Sequence, residues 1–189
     1  MIINYENISK AIEFYKHNGY NYVEVPWYVS KEIIMMTKPN IDIPDYELSA
    51  NGKYLIASGE QGFLYSIMKG YLSPGKYVTC TPCYRFESQD WLHRKTFMKV
   101  ELINWDFGIL KTCAPSMKDI CKKFFQTLTS IDVEETSSEK GPCDILTPTD
   151  LTINNIEIGS YGLRTYKNLV TWEYGTGLAE PRFSTASRS

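Results

Sequence analysis

The stretch from Thr81 to Glu101, TPCYRFESQDWLHRKTFMKVE, sets the tightest limit on what this chain can fold into. Two apolar, β-prone runs, about 76–87 and 96–107, flank a polar loop that carries Asp90, His93, Arg94 and Lys95. Strands this long are not stable as a lone hairpin, so they must sit inside a larger sheet. Charged residues interrupt both strands: Arg85 and Glu87 before the loop, Lys99 and Glu101 after it. Charges in a buried strand are costly unless each meets a partner or a ligand.

The rest of the chain supplies the neighbours. Ile8, Ala11, Ile12 and Tyr15 recur at helical spacing, which predicts a helix over about 5–17 ended by Asn18-Gly19. Tyr20 to Val25 reads as a strand stopped by Pro26, and a short helix follows near 30–37. Residues 38–44 hold two prolines and read as a loop. Asn51-Gly52 between Tyr46–Ala50 and Tyr54–Ser58 is a hairpin turn signal, because both residues accept positive φ. Phe63, Leu64, Ile67, Met68 and Tyr71 mark a helix face. Ser116 is a predicted N-cap for a helix with a Met117, Ile120, Cys121, Phe124, Phe125 and Leu128 stripe. Residues 134–142 read as a polar surface loop, followed by strands near 145–153, 155–160 and 168–174 with a turn at Asn154-Asn155. Strands joined by hairpins predict a largely antiparallel sheet with helices on one side, an α+β fold in one domain over 1–189.

Charge narrows the function. The chain has 20 Lys and Arg against 22 Asp and Glu, a net charge of −2. That excludes a protein whose main partner is nucleic acid held by surface charge. No basic leader or long apolar run opens the sequence, so neither a secretory signal nor a membrane span is expected, and a reducing cytoplasm is the expected compartment. Cys80 and Cys83 form a C-x-x-C without the second pair that a structural zinc needs, so they are expected to be structural.

Three separated segments carry a family resemblance. The first is Gly19-Tyr20-Asn21-Tyr22-Val23-Glu24-Val25-Pro26. The second is Arg85-Phe86-Glu87, the polar loop and Phe97-Met98-Lys99-Val100-Glu101. The third is Gly175-Thr176-Gly177-Leu178-Ala179-Glu180-Pro181-Arg182. In this order they resemble motifs 1, 2 and 3 of the class II aminoacyl-tRNA synthetases, and most of all the seryl-tRNA synthetase catalytic domain. Thr81-Pro82-Cys83-Tyr84-Arg85-x-Glu87 is similar to that family's T-P-C-F-R-S-E, and Lys99-Val100-Glu101 to its K-V-E. Gly175-Thr176-Gly177-Leu178-Ala179-x-x-Arg182 is similar to its G-S-G-L-A-x-x-R. Ala57-Ser58-Gly59-Glu60 stands where the family has a T-x-E loop, and Glu157-Ile158-Gly159-Ser160 matches its E-I-S-S. Tyr174 replaces the small amide that reads serine's hydroxyl there. Read singly, each residue has an ordinary explanation: Arg85 and Glu87 as a cross-strand ion pair, Phe97 as core, Glu157 as a strand-edge acid.

The resemblance implies a class II synthetase-like antiparallel sheet flanked by helices. It implies ATP-dependent activation of an amino acid, giving an aminoacyl-adenylate and pyrophosphate, with ATP and Mg2+ as cofactors. Arg85 would hold the α-phosphate and the substrate carboxylate, and Arg182 the γ-phosphate; a guanidinium forks onto phosphate oxygens and stays charged. Glu87 would meet the adenine end, Phe97 would stack on the base, and His93 and Arg94 would close over the phosphates. Glu157 and Ser160 would offer oxygens to magnesium. Ser58, Glu60, Glu101 and Tyr174 would line the amino-acid pocket, with Glu60 and Glu101 receiving the amino group. A homodimer through residues about 5–28 is implied, with Tyr20, Tyr22, Trp27 and Tyr28 at its centre. No anticodon-binding domain is recognisable, so tight stand-alone tRNA binding is not expected and a carrier protein is an alternative acceptor. The alternative is a binding or regulatory paralogue without turnover.

Overall fold

The computed structural model describes residues 2–37, 47–48, 52–86, 90, 93–105, 116–141, 143–167 and 169–188. The expected loop at 38–44, together with Asn51, Glu87 and Cys113, lies outside them. In chain order the elements are α1 (Tyr5–His17), β1 (Asn21–Tyr22), β2 (Tyr28–Ser30), α2 (Lys31–Met35), β3 (Glu47–Leu48), β4 (Lys53–Leu55), α3 (Gly59–Met68), β5 (Gly75–Tyr84), β6 (Thr96–Trp105), α4 (Met117–Leu128), β7 (Glu134–Ser137), β8 (Thr149–Ile153), β9 (Ile156–Tyr166), β10 (Val170–Glu180) and α5 (Arg182–Ala186).

A seven-stranded sheet runs in the order β1-β5-β6-β10-β9-β8-β7, and a small one in the order β2-β4-β3. All pairs are antiparallel except the parallel pair of β1 with β5. The hairpin of the opening stretch forms the second and third strands of the large sheet, with Thr79 opposite Glu101 and Thr81 opposite Lys99. It is flanked on one side by β1 and on the other by β10, which carries the glycine-rich third segment.

Of the three helices with side-chain caps among the described residues, α1 and α4 begin where the sequence places them. Asn4 Oδ1 accepts from the Asn7 amide at the start of α1, and Ser116 Oγ accepts from the Asp119 amide at the start of α4, each meeting a donor the helix leaves open. Asn154 and Asn155 take φ of 51° and 61° in the tight β8–β9 turn. Among the described residues of the 52–55 hairpin, Gly52 has φ of 62°.

Three expectations change. Residues 134–137, read as loop, form the edge strand β7; every one of its side chains is exposed, so no apolar alternation marks it, and polar residues suit an open edge. The Tyr20–Val25 strand shrinks to Asn21–Tyr22, because Tyr20 and Val25 turn into different cores. The helices also occupy both faces of the sheet. On one face, α1 and α4 pack Tyr15, Phe124 and Phe125 against Val78, Val100, Leu102 and Leu178, and Phe183 of α5 stacks on Phe125. On the other, α3 lays Phe63, Leu64 and Ile67 over Ile103 and Trp172. Two unequal apolar layers thus hold the sheet, and the second covers only part of its face.

Gly177 shows why the third segment is glycine-rich. A Cβ there would lie 2.6 Å from a ring carbon of Tyr15 and 3.0 Å from Leu102. The Tyr15 hydroxyl also donates to the Gly177 carbonyl at 2.8 Å. Gly177→Ala is expected to cost about 1–3 kcal/mol by overpacking, read as a lower denaturant midpoint at unchanged slope; an unchanged midpoint would show that α1 yields freely.

Candidate active site

The face of the sheet left partly open beside α3 is polar by register. Phe97, Lys99 and Glu101 alternate along β6 on this side, opposite Cys83, Thr81 and Thr79 of β5. Tyr174 of β10 lies opposite Gly162 of β9, and Trp172 opposite Arg164. On β8 and β9, Asp150 pairs with Ser160 and Thr152 with Glu157. Strand alternation therefore brings residues from five strands onto one surface.

At one end stands the hairpin mouth. The Arg85 amide bonds to the Lys95 carbonyl at 2.9 Å, which closes the hairpin just beyond β5. Its guanidinium lies 5.1 Å from the Phe97 ring centroid, and its Nε donates to the Ala57 carbonyl at 3.3 Å. Arg85 and Phe97 are thus brought together. His93 is turned back on its own loop: its Nδ1 is 2.7 Å from Asp90 Oδ2, and its amide donates to Asp90 Oδ1 at 2.6 Å. Arg94 is half-buried beside it. Glu87, expected at the adenine end, is among the residues not described.

In the middle, the two carboxylates expected to receive an amino group already have protein partners. Glu101 is 4% exposed. Its Oε1 accepts from Ser58 Oγ at 2.5 Å and from Lys99 Nζ at 2.8 Å. Its Oε2 accepts from the Gly59 amide and, at 4.0 Å, from the Cys83 thiol. A Cβ on Gly59 would come within 2.8 Å of Glu101 Oε2, which explains glycine at that position. Glu60 is 6% exposed. Its Oε2 accepts from Arg164 at 2.7 Å and its Oε1 from Trp172 Nε1 at 2.6 Å. Arg164 Nε donates to Asp144 Oδ1 at 2.8 Å, and the guanidinium lies 3.8 Å from the Tyr174 ring centroid. Burial opposes the charge on Arg164, and the facing carboxylates of Glu60 and Asp144 outweigh it, so the group is held more firmly protonated than usual. Burial first, offset in part by Arg164, pushes the Tyr174 phenol well above its ordinary range, so it stays neutral.

Where β10 ends, on the hairpin-mouth side of the sheet because Glu180 lies opposite Met98, Arg182 at the start of α5 reaches Glu157 Oε1 at 3.5 Å. Beside them, burial raises the Asp150 carboxyl above its ordinary range; a hydrogen bond from Ser160 pulls it down and the neighbouring Glu157 charge pushes it up. Asp150 Oδ1 is buried with no hydrogen-bond partner among the described residues. Asp150, Glu157 and Ser160 are all hard oxygen donors, and an unpartnered buried carboxylate oxygen fits a magnesium ion better than a void. Among the described residues no group of three or more His, Cys, Asp and Glu gathers as a complete metal cage.

Cys80 and Cys83 point to opposite faces of β5, Cys80 packing with the α1 and α4 core and Cys83 facing Glu101. They share no ligand. Burial and the nearby Glu101 push their thiols up, to about 11 and about 12. Of the aromatics expected at a dimer interface, Tyr20 is 3% exposed and packs edge-on against Tyr15, whereas Tyr22, Trp27 and Tyr28 are exposed.

Sequence reasoning missed Arg164, Asp144, Trp172 and Asp150. Arg164 and Glu60 are far apart in the chain, and nothing local signals the pair. The alternation of Trp172 and Tyr174 does mark the face that Arg164 shares.

Neither a scan against protein-family profiles nor a search of curated proteins returns a match. Solved structures do match. A pyrrolysyl-tRNA synthetase from Desulfitobacterium hafniense, PylSc, superposes with a TM-score of 0.75 at 15% identity, over 95% of this chain and 67% of that one. Seryl-tRNA synthetase from Pyrococcus horikoshii, solved as a complex with ATP, superposes with a TM-score of 0.71 at 15% identity, over 95% of this chain and 48% of that one. The chain therefore has the fold of a class II aminoacyl-tRNA synthetase catalytic domain.

Proposed function

We propose that the protein uses ATP to activate the carboxylate of an amino-acid-sized substrate as an acyl-adenylate. The observation that carries this is the placing of Arg85 with Phe97, and of Arg182 with Glu157, at one end of an open face, where β5 and β10 end and β6 begins, in a class II synthetase-like fold. A solved neighbour of that fold is complexed with ATP.

In the reaction, a substrate carboxylate oxygen attacks the α-phosphorus of ATP. The new bond is phosphorus to carboxylate oxygen. The bond to the bridging oxygen breaks, and pyrophosphate leaves with the electron pair. No proton needs to move, so the protein's task is to align two anions and neutralise the charge that gathers on phosphorus. Arg85 is suited to the α-phosphate and the incoming carboxylate, and Phe97 offers a ring face to the base. Arg182 is suited to the distal phosphate. Glu157, Ser160 and Asp150 would hold a magnesium ion, which supplies charge neutralisation to the phosphates. Arg94 and His93 offer further donors suited to the phosphates.

The test is substrate-dependent exchange of labelled pyrophosphate into ATP over a panel of amino acids and related acids. Exchange with at least one is expected, and its absence from folded protein would sink the proposal. A second reading is a non-catalytic paralogue that binds a nucleotide or acid without turnover; Tyr174 favours it, since at 8% exposure it fills the side-chain end of the pocket under Arg164. Calorimetric binding without exchange would establish that reading.

Two expectations about partners follow from surface chemistry. Tyr5, Tyr22, Trp27 and Tyr28, on and after α1, are exposed large apolar side chains, which supports a two-fold interface there. Light scattering at micromolar protein should give about twice the 21.8 kDa of one chain; the single mass alone would refute it. With acidic residues outnumbering basic ones, the chain alone is expected to bind total tRNA weakly at physiological salt. Submicromolar binding, or acylated tRNA made by the purified chain, would make tRNA the acceptor in place of a carrier protein or other group.

A further inference from the structure

We propose that Glu180 is a positioning residue for Arg182: clamped to α1 through Asn7 and to α5 through Ser184, it sets the direction in which Arg182 leaves the sheet toward the phosphates. The inference rests on the activation reading above and adds to it a residue that touches neither the nucleotide nor the acid.

Glu180 ends β10 and faces away from the open surface. It lies opposite Met98, and Met98 and Leu178 both pack into the core beneath α1 and α4. The residue is fully buried, at 0% exposure. A buried acid costs stability unless it is bonded, and here one oxygen carries all the bonding. Oε1 accepts from Asn7 Nδ2 and from Ser184 Oγ, each at 2.9 Å. Oε2 is buried with no hydrogen-bond partner among the described residues. Burial pushes the carboxyl above its ordinary range, and bonds from Asn7 and Ser184, with the Arg188 charge, offset that only in part. An apolar side chain would fill this place at lower cost, so an acid here calls for a role besides packing.

Arg182 needs such a clamp. It opens α5, which is five residues long and too short to stand by itself. Its contact with Glu157 is 3.5 Å, and the Glu157 side chain is 48% exposed, so a bridge of that kind fixes little. The backbone on either side of Arg182 is therefore what aims the guanidinium. Two residues before it, Glu180 grips Ser184 two residues after it, and the Phe183 ring between them stacks on Phe125. Asn7 ties this turn to α1, an element from the other end of the chain. A phosphate donor displaced by about 1 Å loses much of its effect, so the clamp on the closed side of the sheet bears on chemistry at the open side.

The experiment measures ATP affinity by calorimetry, melting temperature and pyrophosphate exchange for wild type, Glu180→Met, Glu180→Gln and Asn7→Ala, each with and without Arg182→Ala. Glu180→Met keeps most of the volume and removes the acceptor. It is expected to melt no lower than wild type, yet to weaken ATP binding by at least about tenfold with KM for the acid unchanged. Glu180→Gln keeps an acceptor oxygen for Asn7 and Ser184 and should stay within about threefold of wild type. Asn7→Ala should weaken ATP binding in the same direction as Glu180→Met. On top of Arg182→Ala, Glu180→Met should cost less than about twofold more, because a residue that acts through Arg182 then has nothing left to place. Unchanged ATP affinity in Glu180→Met overturns the inference. So does a full tenfold loss added to that of Arg182→Ala, which is the mark of general loosening. If Glu180→Met does not fold, Asn7→Ala with and without Arg182→Ala decides by the same two criteria. ATP binding by wild type without exchange removes the activation reading and leaves the affinities to decide this one; no ATP binding by wild type overturns both.

Discussion

Replacing Arg164 with methionine is expected to cost about 3–5 kcal/mol of stability, the effect of removing one partner from a buried ion pair. Arg164 joins two carboxylates that have no other cation among the described residues: Glu60, with a side chain 8% exposed, and Asp144, at 2%. Methionine keeps much of the side-chain volume, so the loss comes from stranding charge and not from a cavity. The Tyr174 ring also loses the cation it faces at 3.8 Å, while Glu60 keeps only the Trp172 indole as donor. Urea unfolding of the variant against wild type measures this; a difference below about 1 kcal/mol would mean that water reaches the pair as it reaches a surface bridge.

The triple variant Arg164→Met, Glu60→Gln, Asp144→Asn separates charge from packing. Neutral amides remove both stranded charges while keeping acceptor oxygens. Recovery of more than half the loss is expected, since buried ion groups can be exchanged for neutral ones at little net cost. Failure to recover would place the energy in the Tyr174 stacking and in the fit of the guanidinium. Neither variant removes Arg85, Arg182, Glu157 or Asp150.

Long periodic elements were legible without coordinates because their signals are local. The α1 and α4 stripes, the Ser116 cap and the β5–β6 pair follow from local signals alone. The edge strand β7 was not, because a strand exposed on both faces carries no alternation and looks like a loop. The second helical layer was missed for another reason. Residues such as Ile103, Trp172 and Tyr174 share their strands with residues of the α1 core, so both faces of the sheet are apolar over part of its length. At the site, the residue types were readable and their partners were not. Arg85 and Phe97 lie at the two strand ends that one hairpin brings together. Glu60 and Arg164, by contrast, meet across the whole fold. The charges in the β6 strand raised the choice between a protein partner and a ligand. For Glu101 the structure supplies protein partners, and among them Lys99 lies two residues away on the same face.

Replacing Arg85 with alanine is expected to lower the exchange rate by at least about 10²-fold, the effect of losing one donor from a group that stabilises developing charge. The guanidinium stands at the mouth where β5 leaves the sheet, over Phe97 and against the Ala57 carbonyl. There it can reach an α-phosphate and a carboxylate from the same fork, which a point charge cannot. Arg85→Lys should therefore recover only part of the activity, although it keeps the charge. A structural role would give a different pattern. Arg85 Nε also holds Ala57, and loss of that bond would loosen the turn that leads to Ser58 and Gly59. Such loosening would raise KM for the acid and lower the melting temperature while leaving kcat near wild type. A fall in kcat at unchanged melting temperature, with the lysine variant intermediate, assigns Arg85 to the transition state. A KM effect alone would confine it to supporting the pocket wall, and the stabilisation of charge on phosphorus would then rest with Arg182.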